Sequence, residues 1–280
     1  MQNGLLVSHV MEKRKELNIP YQNLLVGCAK EWIIERLVTR EDEMLHFYLK
    51  RASQIGVKAY RCKNARQLYA CVVNFSQEEN ALEQFLYCTF ENVFLEREKD
   101  GLSVLIKVPF DKVLVDIRLH LSFCDAKKAQ SYTKTISLLY EEGKELEIPC
   151  FYPEAEIVEI FCEAYEKMDL FTDMEAIEVV YEYAKTRNMN GKYLTFFLEE
   201  NLKKSGHTLT AEEMRLFEQA IRGKALRSRY KGYLRNQKRK DPDYEEVIRV
   251  LDKLFKPVLQ AISRHEIFFG DWMAEVERFL

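Results

Sequence analysis

The chain is short of glycine and proline, with 10 and 6 among 280 residues. Flexible linkers are rich in those residues, so long disordered connections are excluded. Long apolar runs are missing too. No stretch approaches the roughly 20 residues that a membrane-spanning helix needs, and the N-terminus has no basic-then-apolar leader pattern. The expectation is a cytoplasmic protein with no membrane partner. The seven cysteines, Cys28, Cys62, Cys71, Cys88, Cys124, Cys150 and Cys162, form no CxxC pair and no Cys/His ligand spacing. They read as reduced, buried thiols. The most telling deficit is local. Met44 to Gln77 contains no Asp or Glu, where the overall acid content would place roughly five.

What remains is an ordinary globular composition, 47% hydrophobic and 31% charged. The length suits one or two domains with a real core. A net charge of −3 argues against blanket binding to nucleic acid and leaves room for local basic patches.

The first half mixes periods. Leu5–Leu17 reads as a helix, and a second runs from Pro20 to about Val38 through Leu24, Leu25, Cys28, Trp32 and Leu37. Glu43–Ile55 reads as a third helix, stopped near Gly56. Val57–Tyr60 and Leu68–Phe75 read as extended, and Gln77–Cys88 as helical. Asp100-Gly101 between Asn92–Arg97 and Leu102–Val108 is a hairpin signal. A turn at Pro109–Lys112 then leads into Val113–Phe123. That strand places Val113, Val115, Ile117, Leu119 and Leu121 on one face, and Asp116, Arg118 and His120 on the other.

From Tyr152 onward the period is helical. Glu154–Met168, Asp173–Arg187 and Lys192–Lys204 are expected helices, with Asn190-Gly191 as a C-terminal stop. Thr210 and Glu213 fit a capping box, and Asp241-Pro242 is expected to open a last helix through Val247, Leu251, Leu254 and Val258. The division is an α+β domain over 1–150 and a helical domain over 151–280.

Several separated segments resemble one family. Ile19-Pro20-Tyr21-Gln22-Asn23-Leu24-Leu25-Val26, Phe47-Tyr48-Leu49-Lys50-Arg51-Ala52, Phe123-Cys124-Asp125-Ala126, Tyr152-Pro153 and Leu254-Phe255-Lys256-Pro257 fall in the order found in the AbiEii-type nucleotidyltransferase family. Those proteins are toxins of type IV toxin–antitoxin pairs, acting in abortive infection and phage defence. The resemblance implies a nucleotidyltransferase-like mixed sheet with flanking helices, followed by a helical domain. It also implies a cognate antitoxin partner, a nucleotide or RNA ligand, and Mg²⁺ if the protein is active.

The departures from that pattern are as informative. The family's Lys-Gly pair is Lys50-Arg51 here. Its paired aspartates fall on Ala65 and Gln67, and its third carboxylate on Asp116 or His120. Two Mg²⁺ ions normally clamp the triphosphate and the attacking hydroxyl, and Mg²⁺ demands hard oxygen ligands. Without the carboxylate pair, transition-state stabilisation falls by several kcal/mol. The retained cations Lys50, Arg51 and Arg61 become nucleotide-binding candidates, with Asp116 and His120 the only catalytic ones and the metal site unknown. A lone strand histidine is more often a hydrogen-bonded structural residue than a ligand.

A second acid-free run, Ala220 to Lys240, carries nine basic residues interleaved with Tyr230 and Tyr233. Arg227, Arg229, Tyr230, Lys231, Tyr233 and Arg235 are its RNA- or partner-binding candidates; the plainer alternative is a solvated helix face. Three functions stay open at this point. One is a pseudoenzyme that binds nucleotide, RNA or partner. The second is an active toxin with altered metal use, and the third is a purely structural subunit.

Overall fold

A computed structural model describes residues 7–40, 44–62, 66–74, 79–98, 101–111, 113–123, 131–206 and 210–280, without the side chains of His9, Lys58, Arg61, Cys62, Asn74, Glu79 and Ala211. The expected positions Ala65 and Asp125 lie outside the described residues. The chain forms two compact units, Met1–Tyr152 and Pro153–Leu280.

The first unit runs α1 (Val7–Leu17), α2 (Tyr21–Thr39), β1 (Leu45–Lys50), a 3₁₀ turn (Ala52–Gln54), α3 (Val57–Cys62), β2 (Gln67–Asn74), α4 (Glu79–Thr89), β3 (Val93–Glu98), β4 (Gly101–Pro109), β5 (Leu114–Phe123), β6 (Ser131–Ser137) and β7 (Glu145–Phe151). All seven strands join one sheet in the order β3-β4-β5-β2-β1-β7-β6. The β2–β5 and β1–β7 pairs are parallel and the others antiparallel. The side chains of Leu45, Phe47 and Leu49, of Leu68, Ala70 and Val72, and of Val115, Ile117, Leu119 and Leu121 are buried in one core beneath this sheet. Helix α2 lies in that core, with nearly every residue from Leu24 to Ile34 buried. A helix buried around most of its circumference, Lys30 and Glu31 included, needs such a position.

Three expectations for this unit are corrected. Glu43–Ile55 is not a helix. Leu45, Phe47 and Leu49 alternate with His46, Tyr48 and Lys50, and the sheet selects that period of two. Val57–Tyr60 is helical rather than extended, because Gly56 at φ 115° reverses the chain and opens a helical turn. Strand β5 begins at Leu114, leaving Val113 exposed rather than on the core face. The strands β6 and β7 were not expected. Ser131–Ser137 is a polar edge strand, and Pro149 sits in β7 where its pairing with β1 is confined to Leu49 and Cys150.

The second unit runs α5 (Pro153–Lys167), a 3₁₀ turn (Met168–Leu170), α6 (Met174–Thr186), β8 (Met189–Asn190), α7 (Gly191–Ser205), α8 (Ala211–Ile221), α9 (Lys224–Asn236), α10 (Tyr244–Ser263), β9 (Asp271–Met273) and β10 (Arg278–Phe279). The helices start where their caps are. Asp173 accepts from Ala176 N–H, Thr210 and Glu213 form the expected capping box, and Asp243 accepts from Glu246 N–H. The last helix therefore opens at Asp243, two residues beyond the expected Asp241-Pro242 start. Asn190-Gly191 is not a helix stop but a start, since the Asn190 side chain accepts from the N–H groups of Lys192 and Tyr193. Strands of two or three residues, in the order β10-β9-β8, add a small sheet around the buried Trp272. Its indole donates to Ala184 O at 2.8 Å.

Candidate functional site

The face of the large sheet opposite the core is polar. β1 contributes Tyr48 and Lys50, β2 contributes Gln67 and Tyr69, and β5 contributes Asp116, Arg118, His120 and Ser122. Register brings three strands together at one level. Lys50 lies opposite Tyr69, and Tyr69 lies opposite His120. Because β2 and β5 are parallel neighbours, Tyr69 and His120 stand side by side and stack, with ring centroids 4.9 Å apart at 16°.

Arg51 completes this column. It follows the last residue of β1 and has φ 53° and ψ 43°, the left-handed conformation that glycine adopts without strain. The backbone thus keeps the geometry of a Lys-Gly turn while presenting a guanidinium. That guanidinium lies 3.6 Å from the Tyr69 ring centroid, a cation–π contact. Lys50 extends its ammonium to 5.0 Å from the Phe151 ring. Lys134, from β6, holds the following turn by donating to Ala52 O at 2.6 Å and Ile55 O at 2.8 Å.

Besides Asp116, the described acids on this face come from β3, and each has a partner. Arg118 donates to Glu96 at 3.3 Å and to Ser103 Oγ at 3.1 Å. His120 Nδ1 lies 3.4 Å from Glu98 Oε1, which places the imidazole proton on that nitrogen. Burial holds the His120 pKa below the usual imidazole value against the pull of Glu98, with Arg118 and Arg51 adding to the depression. A neutral histidine at neutral pH follows.

The two catalytic candidates do not converge. Asp116 and His120 share a strand face, but four residues along a strand are about 13 Å apart, with Arg118 between them. Asp116 lies opposite Lys107. Gln67 Oε1 already accepts from the Tyr69 hydroxyl at 2.6 Å. Among the described residues, no three of His, Cys, Asp or Glu come close enough together to hold a metal ion. Among the described residues, the donor set around the turn therefore does not fit a two-Mg²⁺ centre. Arg61 lies on α3, and its side chain is outside the described residues.

The basic run of the second unit lies on α9 and the turn that follows it, where much of its charge has a structural use. Tyr230 is fully buried and offers no ring to a base. Tyr233 hydrogen-bonds to Glu178, a carboxylate that is only 1% exposed and is also reached by Arg239 at 2.5 Å. Arg227 pairs with Glu245 at 2.5 Å. Arg229 donates to the carbonyls of Asp169 and Phe171. Lys231 and Arg235 remain exposed, one turn apart on α9.

Sequence reasoning missed Tyr69, Glu98, Glu96 and Lys134 at the first site and Glu178 at the second. Their roles depend on strand register and helix packing, which leave no local signal. One signal was present: the alternation of Asp116, Arg118 and His120 on β5, which fixes the polar face.

No family model matches the chain, and no curated protein does. Among the described residues, no helix is long and apolar enough to cross a membrane. Among solved structures, the chain is similar to JHP933 from Helicobacter pylori, at 13% identity and a TM-score of 0.45, over 88% of this chain and 94% of that one. It is also similar to an antigenic nucleotidyltransferase-like protein from Paracoccidioides brasiliensis, at 11% identity and a TM-score of 0.38, over 69% of this chain and 92% of that one.

Proposed function

We propose that this chain is a degenerate nucleotidyltransferase-fold protein that binds a nucleotide or RNA phosphate at the Lys50–Arg51 turn without transferring it. The observation that carries the reading is the Arg51 turn itself. A left-handed backbone suited to glycine is kept, but the side chain on it is a cation over the Tyr69 ring, which itself stacks on His120. β1 and β2 carry no carboxylate, and β5 carries Asp116 alone. Such a turn attracts anions and repels divalent cations. The ordered resemblance to the AbiEii-type family supports the finer reading of a toxin-derived pseudoenzyme, acting in the cytoplasm with a cognate antitoxin as partner.

The test combines binding and transfer. Calorimetry with ATP, GTP, CTP and UTP should show saturable binding that Lys50→Ala and Arg51→Ala each weaken at least about tenfold, the loss of one charge-assisted contact. Labelled nucleotide should not enter transfer RNA or protein with Mg²⁺ or Mn²⁺. Robust transfer that Asp116→Ala abolishes would instead establish an active enzyme with an unusual metal site. No nucleotide or RNA affinity at all would leave a structural subunit.

A further inference from the structure

The helical unit contains an apolar cavity of about 80 Å³, walled by α5, α6, α8 and α10. We propose that it is a binding site for a small neutral aromatic or aliphatic molecule, independent of the phosphate site on the sheet.

The cavity arises from side-chain size. Helix α5 turns Phe161 and Ala164 toward it, α8 turns Phe217 and Ile221, and α10 turns Leu251 and Phe255. The rings are already in mutual contact. Phe161 and Phe255 have centroids 4.4 Å apart, and Phe161 and Phe217 meet edge-on at 5.2 Å and 71°. Ala164 contributes only a methyl group beside them, and that small side chain leaves the room. The cavity is partly open, so an apolar ligand seated in it removes hydrocarbon wall from water and adds dispersion contacts with the rings.

The lining also selects the ligand. A water needs at least about 10–15 Å³ of such space and two to four polar partners. This cavity exceeds one water several-fold, yet its walls are almost wholly hydrocarbon. Its charged groups are Glu218, Asp252 and Lys256. Lys256 lies 3.9 Å from Glu218, and Arg222 pairs with Asp252. Cations and anions cancel in pairs there, so a charged ligand finds no unbalanced partner. A nucleobase is disfavoured because the mostly hydrocarbon walls offer few partners for the hydrogen-bonding edges of the ring. A benzene-sized hydrocarbon meets every condition.

The experiment titrates the full chain with toluene, followed by saturation in ligand-observed NMR and by the shift in Tm. Saturable 1:1 binding is expected, with a Tm that rises with toluene concentration. Ala164→Met places a flexible side chain in the cavity and should weaken toluene at least tenfold. Lys50→Ala, in the other unit, should leave toluene binding unchanged. Should Ala164→Met fail to fold, Ile221→Phe fills the same space from α8 and carries the same expectation. Absence of saturable binding, or binding that neither filling variant alters, would overturn the proposal. So would self-association of the wild-type chain that a filling variant abolishes, because the cavity would then receive a side chain from a second copy. Nucleotide binding at Lys50 can fail without touching any of these outcomes.

Discussion

Glu31 gives the sharpest numerical test of how the first unit is built. It sits on α2 at 1% exposure, and its carboxyl accepts the Leu139 N–H at 2.7 Å. Burial pushes its pKa up to about 8, from an ordinary value of 4.5, although the Leu139 amide, the Tyr60 hydroxyl and the Lys134 ammonium all act the other way. The folded state therefore holds this proton to higher pH than the unfolded chain does. The protonated contribution is complete below about pH 4.5 and is lost progressively as the pH rises to about 8. At about 1.36 kcal/mol per unit, that gap is worth about 5 kcal/mol, a large share of a typical net stability of about 5–15 kcal/mol. Glu31→Gln keeps an oxygen for the Leu139 amide and has no proton to lose. Urea unfolding of both proteins at pH 5 and pH 9 isolates the effect, because every other titration cancels in the difference. The variant should match the wild type within about 1 kcal/mol at pH 5 and exceed it by several kcal/mol, at most about 5, at pH 9. A difference that stays constant between the two pH values would refute the buried, protonated carboxyl.

At the phosphate turn, Arg51→Gly removes left-handed strain of about 1 kcal/mol and a cation–π contact of similar size. Urea stability should barely move, while calorimetry shows ATP affinity falling about tenfold or more. Replacing Mg²⁺ with EDTA should leave ATP binding equal or tighter, since free ATP carries more charge to a cationic turn; a tenfold loss in EDTA would show that a metal bridge is needed. In the second unit, Glu178→Ala strips the partner from Arg239 and Tyr233 and should cost about 3 kcal/mol. Arg235→Ala, on an exposed position, should stay within about 0.5 kcal/mol by the same denaturation curves. Gly191→Ala drives a methyl group into the Gly270 carbonyl and should lower stability by about 2 kcal/mol or more, read as a drop in Tm.

Much of this architecture is legible from local pattern. The alternation along β5, the turn signal between β3 and β4, and the caps at Thr210 and Asp173 each follow from residue chemistry within a few positions. β1 was misread because Leu45, Phe47 and Leu49 satisfy a strand period inside a segment that is also compatible with a helix. β6 was missed because Ser131–Ser137 buries only Ile136 and offers no apolar run. The site was legible as a list of cations but not as an arrangement. Arg51, Tyr69 and His120 lie far apart in sequence, and only the β1–β2 and β2–β5 registers make them one column. The basic run after Ala220 is legible only in part. Its cations read as surface because nothing in their own segment opposes them, yet Glu178 and Glu245 arrive from other helices.

The acid-free window from Met44 to Gln77 acquires its physical meaning from the strand order. β3, which supplies Glu96 and Glu98, pairs with β4, and β4 pairs with β5. Those acids neutralise Arg118 and face His120. Between β5 and the turn lies β2, whose window residues include no acid. Arg51 and Lys50 lie over aromatic rings, Tyr69 and Phe151. An aromatic face attracts a cation through its quadrupole but carries no net charge. The two rings hold the cations in place and add no negative charge of their own. A phosphate gains from a positive field and a divalent cation is repelled by it, so the cations that the proposed function gives to nucleotide binding would also disfavour a two-metal centre. On the proposed reading, loss of catalysis and retention of binding would be two consequences of one charge pattern.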